Sequence, residues 1–158
     1  MVRIEKIIFS NKQNIPWKDV LAYSKKYEGC TFVNRTYGDR IFFNYVSASE
    51  YASSVYSKKL RGAYAKVKAN LVQVLPKLVE NASNRRWIEN KADKHNKDAG
   101  KGWYRYDVFF EMPVKSPNAQ DIHWNRYSGT LVVRLNDMGM YFYDVINIKK
   151  ETSTPGES

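Results

Sequence analysis

The spacing of apolar positions changes along the chain, and with it the element each stretch predicts. Val2 to Phe9 alternates loosely and is rich in isoleucine, which predicts a strand. Pro16-Trp17-Lys18-Asp19 opens a helix with Pro16 in its first turn. Val20, Leu21, Tyr23 and Tyr27 give that helix its buried stripe, and Gly29 stops it. Cys30 to Asn34 and Arg40 to Val46 predict two strands around Thr36-Tyr37-Gly38-Asp39, a hairpin signal. Ser47 as a cap, with Glu50 three positions on, predicts a helix from about Ala48 to Lys59. After Gly62, the residues Val67, Leu71, Val74, Leu75, Leu78 and Ala82 recur at three- and four-residue spacing and make one helical face. Pro76 sits inside that stretch and kinks or splits it. Asn84 to Asn96 predicts a further, polar helix anchored by Trp87 and Ile88 and ended by Gly100 and Gly102.

The last third switches to period two. Tyr104, Tyr106, Val108 and Phe110 alternate with Trp103, Arg105, Asp107 and Phe109, a strand from Trp103 to Val114. Ser116-Pro117-Asn118 turns the chain. His123 to Leu135 is a second strand, with Val132 and Arg134 on the face opposite Leu131 and Val133. Asn136-Asp137-Met138-Gly139 is a tight turn into a third strand, Met140 to Lys150. The prediction is an α+β fold: a small N-terminal αβ unit (1–57), a helical middle (58–102) and a C-terminal antiparallel meander (103–150) packed on helices. Residues 1–154 form a single domain, and 151–158 read as a flexible tail.

The 158 residues contain one cysteine, Cys30, and two histidines, His95 and His123, which argues against a disulfide scaffold, a thiolate metal cluster or a histidine-built zinc site. No metal and no cofactor is expected. No apolar run approaches the roughly 18 residues of a membrane span, and the N-terminus is no signal peptide, so no membrane contact and a cytoplasmic location are expected. The 26 basic residues outnumber the 16 acidic ones, giving a formal charge of +10. Between Lys58 and Lys101, twelve basic residues stand against four acidic ones. An excess concentrated in this way can build a phosphate-collecting face, although a solvated helix face fits the same residues.

At residues 84 to 106 the chain carries Asn84-Arg85-Arg86-Trp87, Lys94-His95-Asn96-Lys97-Asp98-Ala99 and Gly102-Trp103-Tyr104-Arg105-Tyr106. Phe110-Glu111-Met112-Pro113-Val114 follows, then Tyr141-Phe142-Tyr143-Asp144-Val145-Ile146 and Ile148-Lys149-Lys150-Glu151-Thr152-Ser153. With Lys59-Leu60-Arg61-Gly62 and Ala65-Lys66-Val67-Lys68-Ala69-Asn70 upstream, roughly residues 58 to 154 resemble the large polyvalent protein-associated domains of phages and mobile elements. These sit beside nuclease domains of the barnase–EndoU–colicin–RelE type. The resemblance implies helices followed by an antiparallel sheet of about four strands, and metal-independent RNase activity, often as a toxin. Three strands are evident after the helices, so a fourth would come from His123 to Tyr127 or from the N-terminal unit.

Metal-free RNA cleavage needs a base for the 2′-hydroxyl, cations for the phosphorane-like charge and an acid for the leaving oxygen. His95, with an unperturbed pKa of about 6.5, shares a predicted helix face with Lys91, Lys94 and Asp98. A solvent-exposed histidine on a charged helix is the alternative. Arg134, on a strand face opposite the core, suits a phosphate, or else a cross-strand pair with Asp144 or Glu111. Tyr143 could stack a base or donate a proton, and Thr152 could donate to a phosphate oxygen; core packing and a capping tail are the respective alternatives. The candidate catalytic set is therefore His95, Arg134, Tyr143 and Thr152. Arg85, Arg86, Lys91, Lys94, Lys97, Arg105, Lys149 and Lys150 are the candidate nucleic-acid contacts. The functions to separate are an RNase or toxin-like effector acting on RNA and a non-catalytic module binding nucleic acid or protein. A nuclease inhibitor is disfavoured by the positive charge. Nucleic acid, RNA above DNA, is the expected partner, and an acidic immunity or partner protein is a further one.

Overall fold

The computed structural model describes residues 1–90, 100–114 and 122–152. Its elements are β1 (Val2–Arg3), α1 (Trp17–Ser24), β2 (Cys30–Val33), β3 (Arg40–Phe43), α2 (Tyr45–Ser53), α3 (Val55–Lys59), α4 (Gly62–Leu71), α5 (Leu75–Glu80), β4 (Ser83–Glu89), β5 (Gly102–Val114), β6 (His123–Asn136) and β7 (Gly139–Lys150). The fold is α+β, and the meander β5–β6–β7 packs on helices.

Among the described residues the strands form one mixed sheet in the order β1-β5-β6-β7-β3-β2. β5 is long enough to take two partners on its outer edge. β4 runs antiparallel along Gly102 to Asp107, and β1 runs parallel beside Phe110 and Glu111. The β2–β3 hairpin joins the other side, with β3 parallel to β7. The N-terminal strands thus extend the C-terminal meander. His123 to Tyr127 is the start of β6, and the strands that flank the meander are β4 and those of the N-terminal unit.

Several sequence expectations are corrected. Asn84 to Asn96 is not a helix where it is described: Ser83–Glu89 is β4, paired from Arg86 to Glu89 with Arg105 to Gly102. The physical reason is cross-strand pairing, which local periodicity does not report. Trp87 sets its ring 4.9 Å from that of Tyr104, and Gly102 gives the room. A Cβ there would stand 2.5 Å from the Ile88 carbonyl oxygen and 2.8 Å from the Trp87 ring. Only Val2–Arg3 of the Val2 to Phe9 segment is a strand. Beyond it the Asn70 side chain accepts from the amides of Ile8 and Phe9 and donates to the Phe9 carbonyl, so an α4 side chain holds this backbone instead of a neighbouring strand.

The strand expected from Arg40 to Val46 ends at Phe43, because Asn44 caps α2. Asn44 accepts from the Ser47 amide and Ser47 Oγ accepts from the Asn44 amide, so Ser47 is the third residue of the capping box and not the cap. Ser54, extended at ψ 162°, breaks the expected helix into α2 and α3 and caps the second. Pro76 splits the long stretch as expected, with a 3₁₀ turn at Val72–Val74 between α4 and α5.

The core joins the inner sheet face (Ile41, Phe43, Tyr106, Val108, Phe110, Leu131, Val133, Phe142) to Val20, Tyr51, Leu71, Leu75 and Leu78 of the helices. α2 packs on β3 and β7, α4 on β7, and α5 on β2 and β5.

Candidate nucleic-acid interface

The outer face of the sheet brings the candidate residues together. Strand alternation and register put Phe42, Tyr141, Arg134, Trp103 and Ile88 in one row across β3, β7, β6, β5 and β4. Arg105 pairs with Val132 on one side and Arg86 on the other in the row beside it. Val132 is buried yet lies outside the core cluster, as expected of a residue on this second face.

The rings and arginines contact one another. Phe42 and Tyr141 have ring centroids 5.8 Å apart, and the Trp103 and Tyr143 rings meet edge-on at 4.6 Å. The Arg134 guanidinium lies 4.9 Å from the Tyr141 ring, and its residue is only 5% exposed. This holds the planar cation by an aromatic face. Of the two carboxylates expected beside Arg134, Asp144 pairs with Lys68 and Glu111 with Arg3 and Arg126. Arg105 is half-buried, and its Nε has no hydrogen-bond partner among the described residues.

A β-bulge organises this face. Val132 pairs with Asp144 while Val133 pairs with Phe142, so β7 carries an extra residue at Tyr143. The bulge lets Tyr143 reach Trp103 on the outer face while Asp144 turns to the helices. There Asp144 Oδ1 accepts from Lys68 Nζ at 2.6 Å, and Lys68 Nζ also donates to Ser57 Oγ at 2.6 Å. Burial pushes the Lys68 ammonium below its usual range and the Asp144 carboxyl above its own, each opposed by the attraction of the other. A lysine beside a serine hydroxyl could serve a nucleophile in an open cleft. Here Lys68 and Ser57 are both 0% exposed, so no substrate reaches them and the cluster is structural.

The other candidates are more scattered. Arg85 donates to both oxygens of Asp39, at 2.7 and 2.9 Å, with its guanidinium 4.4 Å from the Tyr37 ring. The Asp39 hydrogen bond pushes the Arg85 pKa up. Tyr106 donates to the same carboxylate. Arg86 pairs with Asp107 at 3.0 Å. The charge of these two arginines is therefore partly met by carboxylates. Lys149 and Lys150 are exposed at the end of β7, and Thr152 lies exposed beyond them. At ~3.3 Å per residue, Thr152 is more than about 20 Å along the chain direction from Tyr143, so the strand does not bring those two together. His95, Lys91, Lys94 and Lys97 lie outside the described residues.

Sequence reasoning did not single out Phe42 or Trp103 as site residues, nor Asp39 and Lys68 as charge partners. The Phe42–Tyr141 pair had no local signal, because β3 and β7 are nearly a hundred residues apart in sequence. Comparisons with protein-family models, with curated proteins and with solved structures find no match for this chain. The resemblance over residues 58 to 154 stands on the quoted motifs alone. No helix among the described residues is long and apolar enough to cross a membrane.

Proposed function

We propose that this protein binds single-stranded nucleic acid, RNA in preference, on the outer face of its sheet. The observation that carries the reading is the grouping of Phe42, Tyr141, Tyr143 and Trp103 with Arg105 on one sheet face of a +10 chain. Rings on a sheet offer sequence-tolerant stacking surfaces to unpaired bases, and flat guanidinium groups pair with phosphate. A duplex hides its base faces and would forgo the rings. Cleavage by 2′-hydroxyl attack is a further step that needs an acid or base such as His95. It is read by incubating the protein with RNA in chelator and looking for discrete products.

The test of binding is fluorescence anisotropy of a labelled ten-nucleotide uridine RNA across a salt series. Affinity should fall linearly with the logarithm of salt. Trp103→Ala should weaken binding about five- to a hundred-fold, the usual effect of removing a stacked ring. Arg105→Ala should weaken it and flatten the salt slope. Equal affinity in the wild type and both variants would overturn the proposal.

A further inference from the structure

At the other end of the outer face, Asp107, Phe109, Ser128, Thr130, Asn147, Lys149 and Glu151 line an open groove of about 370 Å³. That volume lies within the range of small-molecule sites. It is built by a second irregularity in β7. Ser128 pairs with Lys149 and Thr130 with Ile146, so β7 spends two residues, Asn147 and Ile148, opposite Gly129. Asn147 takes φ +55°, one of two non-glycine residues described with positive φ. This left-handed conformation costs little for asparagine and sends the side chain away from the ladder. Ile148 returns to the core.

The groove's chemistry is sorted by position. Phe109 is 43% exposed on β5 and offers a ring face. Its register partner is Ser128, whose partner on the far side is Lys149, so the backbones of Phe109 and Lys149 stand about 10 Å apart across two strand spacings. The Asn147 amide has no hydrogen-bond partner among the described residues, whereas Asp107 is already taken by Arg86 and Asn84. An asparagine amide matches adenine bidentately: its oxygen accepts from the N6 amino group and its nitrogen donates to N7. Guanine presents O6 in place of the amino group, two acceptors where one donor is needed.

We propose that this groove is an adenine-nucleotide site. The base lies against Phe109 with its N6/N7 edge on Asn147, the ribose faces the Ser128 and Thr130 hydroxyls, and Lys149 takes the phosphate. The ligand is an adenosine of a bound strand or a free adenine nucleotide. The first source rests on the strand-binding reading, and the second does not.

The experiment is a titration of ¹⁵N-labelled protein with AMP, GMP, CMP and UMP, followed by amide shifts. AMP should perturb Ser128, Thr130, Asn147 and Lys149, and bind about ten-fold or more tighter than GMP. Asn147→Gly, which suits the positive φ and keeps the fold, should abolish that preference. A single adenosine placed in the uridine RNA, measured against uridine RNA alone, separates the sources. Tighter binding of the adenosine strand marks the strand source, and AMP selectivity without that gain marks the free nucleotide. Equal binding of AMP and GMP, shifts elsewhere, or a preference that survives Asn147→Gly would overturn the proposal. Failure of uridine RNA to bind would overturn only the strand-binding reading.

Discussion

Replacing Lys68 by methionine keeps the length of the side chain and removes only the ammonium group. In the folded protein that ammonium sits 2.6 Å from Asp144 Oδ1 and 2.6 Å from Ser57 Oγ, with the rings of Tyr51 and Tyr56 at 4.7 and 5.0 Å. Asp144 is 2% exposed. In Lys68→Met its carboxylate keeps the hydrogen bond from the Val145 amide but loses its counter-charge. Stranding one member of a buried pair costs about 3–5 kcal/mol. For a chain of this size each kcal/mol lowers Tm by about 2–4 °C, so the melting temperature should fall by roughly 6–20 °C. Adding Asp144→Asn removes the orphaned charge while leaving an oxygen to accept from the Val145 amide, and should recover most of the loss. The sign of the pH dependence follows from burial, which already raises the Asp144 carboxyl. Without Lys68 a folded value above the unfolded 3.8 means stability is fully present below that pH and is lost as pH rises through the raised value. The deficit of Lys68→Met should therefore shrink toward pH 4. Urea denaturation of wild type, single and double variants at pH 7 and pH 4 makes the comparison. A single variant within 1 kcal/mol of wild type, or a double variant weaker than the single, would refute the reasoning.

Gly102→Ala should cost about 1–3 kcal/mol, because the new Cβ meets the Ile88 carbonyl oxygen and the Trp87 ring and the residue sits at φ +153°. Loss of hydrogen-exchange protection confined to β4 and the start of β5 would accompany it, and an unchanged urea midpoint would contradict the β4–β5 register. Burial raises the Tyr27, Tyr51 and Tyr106 hydroxyls above the ordinary tyrosine value of 10.0. Their stability contribution is complete below pH 10 and lost above it, as the unfolded chain ionises and the folded one does not, at about 1.4 kcal/mol per pH unit per tyrosine. Urea midpoints should drop steeply above about pH 10.5, and Tyr106→Phe should lessen the slope.

Where neighbours in sequence are also neighbours in space, the pattern was enough. The meander β5–β6–β7 and the break at Pro76 follow from period two, turn residues and a missing amide, all local causes. β4 was misread because Arg85, Arg86, Trp87 and Ile88 suit a polar helix by composition, while the partner that makes them a strand lies beyond residue 100. The edge of β5 decides that segment.

The site divides along the same line. Strand alternation in the sequence already placed Arg134 opposite the core, and Arg105, Trp103 and Tyr143 were legible as strand residues. The charge was legible as an amount but not as a surface. Lys68 counts among the twelve basic residues of the middle segment, yet it is buried against Asp144, and Arg85 is held by Asp39. One extra residue in β7 turns Asp144 inward and Tyr143 outward, and no periodicity announces a bulge. Sequence by itself therefore determined the α+β class, the strands of the meander and the sign of the charge, because these depend on local period and composition. Tertiary structure alone decided which charges are neutralised, which rings share a face and where the groove opens, because those depend on register between strands far apart in the chain.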